Sequence, residues 1–343
     1  MAVSLAVKYR PQAFDDVTEQ DNIKIILGQQ LKNNAIKNAY LFCGGAGTGK
    51  TTCARIFANE INKGLGNPIE LDAASNNSVD DVRDIIQQAK TKSLDSEYKI
   101  FIIDECHALS NSAWQAMLKL IEEPPAKSIF IFATTDPQKI PKTILSRVQR
   151  YDFRMISQNG IVMRIADVLA HEQIPQLNDS KSAVEYIAKI ADGHMRDALT
   201  MLDKCLAYSR DLTMENVVKA LGVADYEVMI AITDGVLQNN AGYIVEKIEE
   251  LYSSGIDLKQ FIKQYLNFIV DVNKYMICGN LDYTQIPKID SNTKWLDSLG
   301  DKDFNELQSL LDLLVNLNAE IKWDTNPKYI LEARLLQWCG GSR

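Results

Sequence analysis

Gly44-Gly45-Ala46-Gly47-Thr48-Gly49-Lys50-Thr51 is the stretch on which the reading of this chain turns. A glycine, four residues, then Gly-Lys-Thr is the spacing of a phosphate loop. Just before it, Ala39-Tyr40-Leu41-Phe42-Cys43 is a short apolar run that predicts a buried strand. Just after it, Thr52 to Ile61 carries apolar residues at helical spacing. The competing reading is a glycine-rich turn before an ordinary helix, and the order strand, loop, helix favours the phosphate loop. Glycines allow the backbone to fold around phosphate oxygens, and a helix N-terminus adds aligned amides and a positive dipole end. In that arrangement the backbone from Gly44 to Thr52 cradles a nucleoside triphosphate. Lys50 reaches its β- and γ-phosphates, and the Thr51 hydroxyl binds Mg²⁺.

At 343 residues the chain has room for two or three domains with cores of their own. A hydrophobic fraction of 46% and a charged fraction of 24% are those of an ordinary soluble protein. No apolar run approaches the length of a membrane span, and the first residues lack a signal peptide's apolar core, so no membrane partner is expected. The six cysteines are scattered and form no Cys-x-x-Cys pair. Reduced thiols in a cytoplasmic compartment are therefore expected, and zinc is not. The net charge of −8 argues against coating nucleic acid by bulk electrostatics. Residues 1–150 hold 18 Lys and Arg against 17 Asp and Glu, and the excess acid lies in the rest. Any nucleic-acid contact therefore belongs to the N-terminal half, through local basic residues.

In chain order, Val7 to Val17 reads as irregular, with Pro11 discouraging a helix at Arg10. Tyr9 and Val17 are candidates to pack on an adenine ring; the alternative is a terminus packed on its own domain. Ile23, Ile26, Leu27 and Leu31 mark an amphipathic helix, and Ile69 to Asp72 a short strand. Ser78 to Asp81 is a capping pattern opening a helix with Val82, Ile85, Ile86 and Ala89 on one face. Ser112 to Gln115 is read the same way, for a helix ending near Glu122 before Pro124-Pro125. Tyr98 to Ile103 and Ile129 to Ala133 are further buried strands. Apolar strands alternating with helices predict a parallel sheet covered on both faces, an α/β nucleotide-binding domain. Residues 160–220 read as short helices, and beyond Gly222 nearly everything has helical period, ending with a leucine stripe from Leu307 to Ile321. Those stripes read as packing surface, and residues 279–294 show no clear pattern.

The second chemical motif is Asp104-Glu105-Cys106-His107, at the end of the strand that begins near Tyr98. A carboxylate there supplies the metal's partner for Thr51, so Asp104 is the metal-side acid and Glu105 is placed to orient or deprotonate water. The alternative for Glu105 is a solvated surface acid. His107, with no second His or Cys nearby, is read as a local hydrogen-bonding residue.

GGAGTGKT, IFIIDECH, LIEEPP, FATTDPQKIPKTILSR and ADGHMRDAL occur in that order and spacing, and KYRPQAFDDV opens the chain. Together they resemble the AAA+ clamp-loader ATPases, most closely the bacterial DNA polymerase III gamma/tau subunits, over about residues 7–205. The resemblance implies an AAA+ domain over 1–155, a small helical lid over 156–222 and an all-α collar over 223–343. It also implies that Tyr9, Arg10 and Val17 sit by the nucleotide, and that Thr135 is a sensor contacting the γ-phosphate or its water. Arg147 takes the place of an arginine finger reaching a neighbour's ATP site in trans, and Arg196 that of a second sensor in the lid. For either arginine alone the alternative is a surface ion pair. Arg83 matches a basic position that touches DNA backbone, although Asp80 and Asp81 beside it would repel phosphate.

Two departures stand out. The family's four-cysteine zinc insertion is replaced by a short loop around Gly64 to Pro68, and its Ser-Arg-Cys reads Ser146-Arg147-Val148. With a chain ending at 343, this suggests a compact form of phage or mobile-element origin, working in the bacterial cytosol and without a long tail. The expected role is an ATP-hydrolysing motor subunit of a sliding-clamp loader, with ATP and Mg²⁺ as cofactors. Its expected partners are other loader subunits in a heteropentamer, the clamp, and primer-template DNA held by its backbone. The alternatives are a non-catalytic scaffold subunit of the same assembly or another AAA+ enzyme such as a branch-migration helicase.

Overall fold

The computed structural model describes residues 3–175, 180–221, 226–287, 290–321 and 326–341. They fall into two compact units. One holds the described residues up to 175 together with 187–210, and the other holds those of 176–186 and 211–343.

The first unit opens with the one-turn helix α1 (Leu5–Lys8), a 3-10 turn at Phe14–Asp16, and α2 (Asp21–Lys32). Strand β1 (Ala39–Cys43) then leads into α3 (Lys50–Ile61), β2 (Ile69–Asp72), α4 (Val79–Ala89), β3 (Lys99–Asp104), α5 (Asn111–Glu122) and β4 (Ser128–Thr134). Helix α6 (Lys142–Leu145) and β5 (Gln149–Asp152) complete the sheet, whose five strands are all parallel in the order β2-β3-β4-β1-β5. Alternate residues of each strand supply the two faces. Leu41, Phe101, Ile103, Phe130 and Phe132 meet Val82, Ile85, Trp114 and Met117 of α4 and α5. On the other face Tyr40, Phe42, Ile100, Ile102 and Ile131 meet Leu27, Cys53 and Phe57 of α2 and α3. Burial on both faces is why these strands are continuous apolar runs. Helices α7 (Gln158–His171) and α9 (Met195–Tyr208) pack together within the same unit, joined in sequence through α8 (Ser180–Ile190).

The second unit is helical: α10 (Met214–Leu221), α11 (Tyr226–Leu237), α12 (Ala241–Ser253), α13 (Leu258–Cys278), α14 (Asp290–Asp297), α15 (Asp301–Ile321) and α16 (Pro327–Gly341). The leucine stripe of α15, Leu307, Leu310, Leu314 and Leu317, is fully buried against Phe261, Tyr265 and Ile269 of α13.

Several local expectations need correction. The cap of α5 is Ser110, whose hydroxyl accepts from the Ala113 amide at 3.2 Å, so the helix starts before Ser112. Ile26 is 43% exposed, because the α2 stripe turns through Ile23 and Leu27 and leaves it on the solvent edge. The opening segment holds a helical turn at α1, and residues 279–294 hold a 3-10 turn and the start of α14. Strand β5 went unread because only Tyr151 of its four residues is buried. Among the described residues no helix is long and apolar enough to cross a membrane.

Candidate nucleotide site

In a parallel sheet the carboxyl ends of the strands, where the connections diverge, form the natural crevice for a ligand. β1 ends at Cys43, between β4 and β5, and the loop from Gly44 to Gly49 leaves it to open α3. Gly47 and Gly49 stand at φ of 65° and 100°, so consecutive peptides curl into a nest of the kind that binds anions. Lys50, only 6% exposed, folds back and donates from Nζ to the Gly44 and Gly45 carbonyls at 2.9 and 2.7 Å. Burial pulls its pKa below the ordinary lysine value, against the opposing pull of Glu105 and Asp104.

β3 delivers the acids beside this loop. The Thr51 hydroxyl donates to Asp104 Oδ2 at 2.7 Å, and the Glu105 amide donates to Asp104 Oδ1 at 3.0 Å. Glu105 takes the left-handed conformation, φ 45°, which is costly for a residue with a side chain and typical of functional turns. Its Oε2 accepts from the Thr135 hydroxyl at 2.8 Å and the Thr135 amide at 3.3 Å. His107 Nδ1 stands 3.2 Å from the same Oε2 and 3.2 Å from Thr134 Oγ1, a local bonding role.

These groups surround a cavity of about 460 Å³ within the first unit. Its walls are Tyr9, Arg10 and Val17 from the opening segment, Ala46 to Thr52, Asp104 and Glu105, and Arg196 at the start of α9. The structure thus gathers most of the expected nucleotide-binding positions on one cavity. Gly44 and Gly45 stand behind it as acceptors for Lys50, and Thr135 touches it through Glu105. Arg147 and Arg83 do not line it. Arg147 pairs with Glu122 at 2.7 Å and donates to the Thr143 carbonyl, while Arg83 pairs with Asp80 at 2.6 Å on the exposed face of α4.

Three contributors escaped the sequence reading. Arg164 of α7 lines the cavity and donates to the Tyr9 carbonyl at 2.7 Å. Glu172 accepts from Lys8 Nζ at 2.6 Å and from the Tyr9 hydroxyl at 2.7 Å. His194 reaches the Ala46 carbonyl. Each acts through a backbone group or a partner more than a hundred residues away, which no local spacing announces.

For Mg²⁺, the Thr51 hydroxyl and Asp104 carboxylate supply the hard oxygen donors it prefers.

Comparison with known proteins agrees in both units. Residues 67–157 match the family model for the DNA polymerase III delta subunit, and 160–211 that for the ATPase lid domain of a DNA polymerase III clamp-loader subunit. Residues 212–342 match domain III of the DNA polymerase III subunits gamma and tau. The tau subunit of Bacillus subtilis is 35% identical across 96% of this chain and 62% of its own length. The tau/gamma subunit of Haemophilus influenzae is 34% identical across 74% of this chain and 40% of its own. The chain belongs to the DNA polymerase III clamp-loader family. It spans less than two thirds of the length of these gamma/tau relatives. The P-loop ATPase fold recurs in the Thermotoga maritima RuvB Holliday junction branch migration motor, at a TM-score of 0.54 and 19% identity. That likeness covers 67% of this chain and 79% of RuvB. For the helical second unit the sequence offered only length and character, and the domain III match supplies its place in the clamp-loader family.

Proposed function

We propose that this clamp-loader family member is an ATP-hydrolysing motor subunit that opens a sliding clamp and places it on primer-template DNA. The observation that carries the reading is the convergence of Lys50, the Thr51–Asp104 pair, the Glu105–Thr135 pair and Arg196 on one cavity. Lys50 holds the β- and γ-phosphates. Thr51 and Asp104 hold Mg²⁺, which when bound offsets phosphate charge. Glu105, steadied by Thr135, orients the attacking water, and Arg196 reaches the nucleotide from the lid. Tyr9, Arg10 and Val17 flank the base. Arg147 enters a neighbour's site, so turnover depends on assembly. The domains on this reading are an ATPase domain at 1–155, a lid at 156–222 and a collar at 223–343. The working setting is the bacterial cytosol, in a heteropentamer that grips DNA backbone, with Arg83 as one contact.

ATP drives such a cycle only by binding one assembly conformation better than another. The test is ATPase turnover of the chain co-purified with candidate loader subunits, with and without clamp and primed DNA. Stimulation that disappears in Lys50→Ala is expected. Turnover indifferent to clamp and primed DNA would point to a different AAA+ enzyme. Binding of partners with no turnover would leave a scaffold subunit.

A further inference from the structure

We propose that His194 is a positioning residue that aims the Gly47 amide at the nucleotide's phosphates, an inference that rests on the nucleotide reading of the cavity. His194 stands at the N-terminal boundary of α9, and its Nδ1 lies 2.5 Å from the Ala46 carbonyl oxygen. A carbonyl only accepts, so Nδ1 carries the proton and donates. A trans peptide is planar, with its C=O and the following N–H directed opposite ways. Holding the Ala46 oxygen against the imidazole therefore turns the Gly47 N–H the other way, in the loop whose residues Ala46, Gly47 and Thr48 all line the cavity.

The loop needs such a pin. Gly47 at φ 65° lies in a region that glycine enters freely, so the loop's own backbone does not decide which side of the peptide faces the ligand. The turn bearing His194 is itself fixed, since the Ile156 amide donates to the Gly193 carbonyl at 3.2 Å. Its fit to the loop is close. A Cβ on Gly47 would lie 3.2 Å from the Arg196 nitrogen and 3.4 Å from the His194 Cα. The start of α9 and the phosphate loop thus meet closely at Gly47, and the His194 side chain bonds across that contact to the Ala46 carbonyl. The lid position and the phosphate-binding geometry become interdependent through one peptide group.

The test is calorimetric titration of the full chain with magnesium ADP and, separately, with AMP. The donor that His194 aims serves the phosphates beyond the first. His194→Ala should weaken ADP about tenfold, of the order expected for a lost hydrogen bond to a charged group, while AMP changes by less than about twofold. His194→Asn, whose amide nitrogen sits near the Nδ1 position, should restore ADP affinity to within about threefold of wild type. AMP binding also reports that each variant is folded. An alanine variant that keeps full ADP affinity overturns the assignment. So does one that loses AMP as severely as ADP, or an asparagine variant no better than alanine. Wild-type protein that binds no ADP at all overturns the nucleotide reading itself, and this inference with it.

Discussion

Lys50 is a cation held where water scarcely reaches, and its chemistry follows from that. Desolvation penalises the ammonium form, the acids Asp104 and Glu105 favour it, and burial prevails, so the pKa sits below 10.5. The sign is definite. With its folded-state pKa lowered, Lys50 loses charge as pH rises through a value below that of a free lysine. On the proposed reading a triphosphate binds the charged form, so ATP affinity should begin to fall at an alkaline pH where an ordinary lysine is still protonated. Titrating ATP across the alkaline range should show this fall in the wild type and a flat response in Lys50→Arg, whose guanidinium stays charged. Equal pH dependence in both proteins would assign the effect to another group. The residues that could be read in advance are those whose partner is also in a motif: Thr51 and Asp104 meet although 53 positions separate them. Glu172 and His194 could not be read so, because their partners are an N-terminal tyrosine and a backbone carbonyl.

Among the elements, β1, β3 and β4 were legible because both their faces are buried and β2 because Ile69 and Leu71 alternate with acids, whereas β5, with Tyr151 its one apolar residue, reads as loop. α16 escaped because its apolar residues do not gather on one face, as those of α15 do. The opening segment shows what tertiary contacts add to a stretch with little pattern. α1 packs on α9, the Leu5 amide donates to Asp203, Arg164 holds the Tyr9 carbonyl, and Glu172 takes both Lys8 and Tyr9. The cavity wall formed by Tyr9 and Arg10 is therefore carried by α7 and α9 as well as by the sheet domain. Lys8 raises, and Glu172 lowers, its pKa through their mutual hydrogen bond. Glu172 contributes at neutral pH, and its contribution is lost as pH falls through its depressed pKa. Glu172→Ala should speed amide exchange over residues 5–10 and weaken ATP by roughly three- to tenfold, the effect of one or two lost hydrogen bonds. Hydrogen-exchange mass spectrometry checks the first and calorimetry the second. Unchanged exchange in that segment would mean that α1 holds its place without Glu172.

At the scale of the whole molecule the question is what completes the site. The cavity brings together a phosphate loop, two acids and a lid arginine, but Arg147 does not line it. Instead Arg147 rests in a surface ion pair with Glu122, the two side chains 38% and 42% exposed. Pairs so exposed are worth about 0.2–1 kcal/mol, little enough for a better anion to displace. A nucleotide presented by a neighbouring subunit is such an anion, and the transition-state charge on its γ-phosphate more so. On this reading Arg147→Ala leaves ATP affinity of the isolated chain unchanged, since its own cavity is intact. In the assembled complex the same substitution should cut turnover by about 10³-fold or more, as losing an arginine finger does elsewhere. Glu122→Gln separates the two roles of the arginine: it removes the resting partner without touching the finger, so assembled turnover should persist. Comparing ATPase rates of the isolated chain and the complex for both variants decides it. If Arg147→Ala lowers isolated and assembled rates by the same factor, the arginine acts within its own chain and assembly does not complete the site.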